Sequence, residues 1–144
     1  MADDPDPPVI PDPPPPPDPN SILVNIKKLL GIEADEKAFD VDIITDINTV
    51  FMSLNQIGVG PATVYSIEDD TAVWTDFVAD INKVAAVKSY IHLKVKMIFD
   101  PPTASTVLDA MTRVIDQLEW RLMIQVEEPL PDIPILVEGD ENGW

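Results

Sequence analysis

The chain contains no cysteine. Disulfides, zinc–thiolate sites and cysteine nucleophiles are therefore excluded, and the composition fits a product of a reducing cytosol. Bases are also scarce: nine Lys and Arg stand against 26 Asp and Glu, for a net charge of −17. Binding to nucleic acid by phosphate neutralisation needs a basic surface, so such a chain would meet DNA only as a repelling wall. No apolar run approaches the roughly 18 residues that a membrane span requires. The first residues, MADDPDPP, are acidic and proline-rich, the opposite of a basic-then-apolar secretory signal. With 144 residues, the length is that of one ordinary domain.

The catalytic inventory is equally short. His92 is the single histidine, and its i±4 neighbours are Lys88 and Lys96. No carboxylate on its own helix could orient it as a base, and two cations lower its proton affinity. Asp40, Asp42 and Asp46 have a superficial metal-ligand spacing, yet the glycine and closing glutamate of a calcium loop are missing. Capping and helix-dipole complementation account for these acids more simply. Gly58-Val59-Gly60 matches neither a dinucleotide fingerprint nor a P-loop, and there is no Gly-x-Ser-x-Gly. No catalytic residue, cofactor site or metal site is expected.

Proline is abundant and unevenly placed. Ten of the sixteen prolines lie in residues 1–20, together with five Asp and no base. This arm should sample stiff, solvated polyproline II. It reads either as a docking arm for an aromatic groove or as a disordered acidic extension. The periodicity then predicts helices over Ile22–Leu30, closed by Gly31, and over residues 40–56, capped by Asp40. The second carries the apolar stripe Ile43, Ile47, Val50, Phe51, Leu54 and Ile57. Thr63–Ile67 reads as a brief extended piece, with a hairpin left open. Trp74 and Phe77 read as a hydrophobic staple in the core.

A long helix is expected over residues 75–99, apolar on two sides. One stripe is Ile81, Val84, Val87, Ile91, Val95 and Ile98; the other is Ala86, Tyr90, Leu93 and Met97. Such a helix takes partners on both faces. Asp100-Pro101-Pro102 breaks it, because proline lacks the N–H and biases its predecessor out of the α region. Thr103 or Ser105 should cap a final helix to about residue 125, with Met111, Ile115, Leu118 and Leu122 inward. Asp109 and Arg113 could pair on its outer side, where Trp120, Met123 and Ile124 also fall. An outward Trp beside Arg121 suits an interface, although another segment of the chain could equally cover it.

The expected fold is therefore all-α: a small bundle of about four helices, two of them long and joined at a Pro-Pro corner, with extended N- and C-terminal arms. Residues 1–20 form the arm, 21–128 the helical domain and 129–144 an acidic tail. That tail has three prolines and the apolar run Ile133–Val137, a composition that gains order against a partner. The candidate partner-binding residues are Tyr90, Leu93, Met97, Trp120 and Ile124 on the helices, and Ile135, Leu136, Val137 and Trp144 in the tail.

Several pieces, in order, resemble the head–tail connector (adaptor) family of tailed bacteriophages: Lys28–Ile32, Gln56–Pro61, Trp74-x-x-Phe77, Val87–Lys96, Phe99–Thr103 and Glu119–Leu122. The resemblance covers about Ser21–Glu128. It implies a structural virion protein, made in the host cytoplasm and placed at the capsid vertex. Such a protein forms a ring of about twelve subunits beneath the portal, by a closed cyclic symmetry. The ring would extend the DNA channel and receive the next neck or tail component, and the C-terminal segment, here Pro129–Trp144, would engage the portal. The alternative is a cellular helical adaptor that recruits a partner through its proline-rich arm.

Overall fold

A computed structural model describes residues 5–13 and 15–127, in five α-helices: α1 Ile22–Leu29, α2 Asp40–Gln56, α3 Trp74–Phe77, α4 Ile81–Phe99 and α5 Ser105–Glu127. Among the described residues there is no strand and no hairpin at 63–67, only an isolated antiparallel bridge between Ser21 and Val73.

α4 is the centre of the bundle. It packs on α1, α2 and α3 along one side and on α5 along the other. Lys83 lies beside Gln125 and Val126, Tyr90 beside Glu119, and Leu93 beside Ala110, so α4 and α5 run antiparallel. The first stripe of α4 supplies buried Val84, Val87, Ile91 and Val95 to a core shared with Ile22, Ile26, Ile43, Ile47 and Leu54. Its two ends leave the core: Ile81 is 68 % exposed and Ile98 50 %. From α5, Ile115 and Leu122 are buried, and Leu118 packs on them partly exposed.

The helix ends follow local chemistry, with two corrections. Ser21 caps α1, its Oγ accepting from the Val24 N–H at 3.2 Å. Gly31 stops the helix in the left-handed region at φ 83°, a conformation glycine enters without a Cβ penalty. Asp40 is not the cap of α2. Phe39 occupies that position, and Asp40 stands one residue inside the helix, where its carboxylate meets Lys27 Nζ at 2.7 Å. The expected helix over 75–99 is two helices. Val78 adopts an extended φ/ψ of −130°/114°, and Asp80 caps α4 by accepting from the Asn82 N–H at 2.9 Å. An Asp with its side chain on the amide two residues ahead offers the backbone an alternative to continuing a helix. Asp109 and Arg113, though correctly ordered, do not form an ion pair; those present among the described residues are Lys27–Asp40, Lys37–Asp70 and Lys96–Asp100.

The loop between α2 and α3 is held by side chains in place of strand pairing. The Asn48 side-chain amide donates to the Ile67 carbonyl at 3.0 Å, and its oxygen accepts from the Ile67 N–H at 2.8 Å. Phe51, Tyr65 and Phe77 cluster with ring centroids 4.7–5.4 Å apart. Gly60, at φ 95°, lies against the Phe77 ring so closely that a Cβ there would collide with it. Replacing Asn48 by alanine orphans both Ile67 backbone groups. We expect a loss of about 2 kcal/mol in urea unfolding, with an unchanged denaturant slope.

Candidate interaction surfaces

The helical candidates separate into buried and exposed groups. Tyr90 is fully buried, and its hydroxyl donates to Glu119 Oε2 at 2.7 Å. Burial, then the hydrogen bond to Glu119 and its charge, push the phenol well above its ordinary range, so it stays protonated as the donor. Lys94 lies over the same ring, 5.6 Å from its centroid. Tyr90 therefore fastens α4 to α5 within the subunit and is withdrawn from the candidate interface. The reason is general to the second stripe. Its partner is α5 of the same chain, beside which Leu93 lies, and Ala86, Leu93 and Met97 are partly buried against the core.

Leu93 keeps a second role at the edge. With Thr106, Val107, Ala110, Met111 and Val114 it lines an open apolar groove along the first half of α5. Val107 and Val114 are exposed there. Sequence reading missed this groove because it treats α5 as having one inward stripe. Val107, Ala110 and Val114 recur at steps of three and four, the signal that could have revealed it.

The second half of α5 carries the larger feature. Trp120 is 64 % exposed and stands among Asp116, Gln117 and Arg121. Met123 is exposed beside it and Ile124 is partly buried. No other described helix covers this face. The groove lies along the first half of α5 and Trp120 in the second, so the helix presents two separate exposed patches. Ile135, Leu136, Val137 and Trp144 lie outside the described residues.

His92 is partly buried, beside the Leu29 backbone. Burial first, and Lys96 second, lower its pKa below 6.5, while the contact with Leu29 opposes them. The unfolded chain therefore binds this proton more readily than the folded one. Stability from His92 is full above 6.5 and falls as the pH drops from there towards the depressed folded value. In melting curves, His92→Gln should flatten this part of the acid limb without abolishing function. Among the described residues, no group of three His, Cys, Asp or Glu side chains could hold a metal, and no helix is long and apolar enough to cross a membrane.

The sequence profile described as phage connector protein matches residues 22–129, which spans all five helices. The chain belongs to the phage connector protein family. No curated protein and no solved structure shows significant similarity to it. Membership makes the connector a structural component of a phage virion that contacts other virion parts.

Proposed function

We propose that this connector assembles into a ring beneath the portal, extends the DNA channel and offers its far side to the next neck or tail component. The helical domain, residues 21–128, is the ring-forming unit, and the segments 1–20 and 129–144 are its arms. The observation that carries the reading is the pair of exposed patches on α5: Trp120 in its second half, and the groove of Leu93, Val107 and Val114 along its first. Different patches on one subunit make a heterologous contact, and heterologous contacts that close produce rings. We assign the Trp120–Ile124 ridge of one copy to the groove of the next.

Charge supports the same reading. A net charge of −17 favours a wall along which DNA slides without sticking. The tail Pro129–Trp144 is the segment we assign to the portal, as its apolar run Ile135-Leu136-Val137 and terminal Trp144 suit docking into another protein. The test is to mix the purified chain with its portal, alone and with residues 1–20 deleted. Ring assembly on the portal should survive the deletion. Loss of all binding with the arm would instead identify a module that recruits partners through polyproline.

A further inference from the structure

A broad groove lies away from α5. It runs between the chain entering α1, the outer side of α1 and the loop after Gly31, with Lys88 of α4 at its rim. Its floor is apolar: Val24, Leu29 and Ile32 line it, and Leu29, inside a helix, is 46 % exposed. Its rim is cationic. Lys28 and Lys88 both border it, and neither pairs with a carboxylate among the described residues. Lys88 instead lies over the Trp74 ring, 5.5 Å from its centroid. One acid, Glu33, stands at the loop end. On a chain of charge −17, an apolar trough edged by two unpaired lysines is an exception.

The matching chemistry is in the chain itself. The segment Asp132-Ile-Pro-Ile-Leu-Val-Glu138, followed by Asp140 and Glu141, is an apolar run bracketed by acids, with no base in residues 129–144. It also starts within reach. Gln125 and Val126, at the end of α5, line a cleft with Thr75, Phe77 and Lys83. α3 is a single turn, about 6 Å long, and Trp74 at its start already touches the other side through Asn25 and Lys88. Six residues from Glu127 to Ile133 can span up to ~20 Å, enough to pass α3. Pro129 and Pro131 in this stretch, and Pro134 just after it, lower the entropy lost on docking.

We infer that the groove of Leu29 and Ile32, rimmed by Lys28 and Lys88, is the docking site in the free subunit for the same chain's Asp132–Glu141 segment. Ile133–Val137 covers the exposed leucine, and the flanking acids meet the two lysines. The inference concerns the unassembled subunit and does not depend on the assignment of the tail to the portal.

The absence of native cysteine makes the test direct. In the full-length chain, Leu29→Cys is combined with Leu136→Cys, and Thr45→Cys with Leu136→Cys serves as the comparison on exposed α2 surface. Circular dichroism checks that each variant folds. Under mild oxidation of dilute protein, the first pair should form an intramolecular disulfide about tenfold faster than the second, because docking raises the local concentration. Lys28→Glu with Lys88→Glu should bring that rate down to the comparison value. Equal rates for the two pairs, cross-links found only between copies, or a rate indifferent to the charge reversal would each overturn the inference.

Discussion

Trp120→Ala leaves a folded subunit that no longer assembles. The side chain is 64 % exposed within the subunit, so its removal opens no cavity, and the change in unfolding free energy should stay within about 0.5 kcal/mol. In a ring, every subunit contact would lose the same anchor. A central Trp is among the residues whose truncation costs most at interfaces, on the order of 2–4 kcal/mol per contact, which is a thirtyfold or greater loss at each junction by order of magnitude. Sedimentation should then show monomer at concentrations where the parent chain forms rings, with an unchanged melting curve. A collapsed melting temperature with assembly intact would make Trp120 a core residue and move the interface elsewhere.

The second large effect concerns the fold. Lys27 is only 1 % exposed, yet it is charged. Its ammonium donates to the carbonyls of Ala34 and Glu36 and forms an ion pair with Asp40, whose Oδ1 lies 2.7 Å away without a hydrogen-bond partner of its own. The contacts join the end of α1, the 32–39 loop and the first turn of α2. Lys27→Met removes the cation while filling much of the same volume. It strands a partly buried carboxylate and two carbonyls, and the expected loss is about 3–5 kcal/mol. For a helical core of this size, the midpoint of thermal unfolding should fall by more than about 10 °C. Adding Asp40→Asn should recover part of the loss, because the uncompensated charge is then gone while the two carbonyls stay unpaired. A single variant as stable as the parent would show that water replaces the lysine without cost.

Helix existence was legible wherever a stripe was long and bounded by glycine or proline. α1, α2 and α5 follow their periodicity, and Gly31 and Gly58 close helices at positive φ as their spacing implies. Two boundaries were misread because a capping residue looks like any other polar residue in a continuous pattern. Asp80 ends the approach to α4 through its own side chain, and Asp40 is drawn into α2 by Lys27, thirteen positions away. Long-range partners of that kind carry no local signal, and the same holds for Asn48 and Ile67. The exposed apolar surface was legible in part. Trp120 stood out because an apolar giant on a polar flank has no local reason. Tyr90 was misjudged: a second apolar stripe shows that a helix has two partners, without showing whether the second is another copy or the next helix of the same chain.

The most direct test of the central claim is an electron-microscope image of the purified chain mixed with its portal, viewed down the portal axis. The expected image is a closed ring of connector subunits, coaxial with the portal and surrounding an open channel. A chain that remains monomeric and never joins the portal would contradict it.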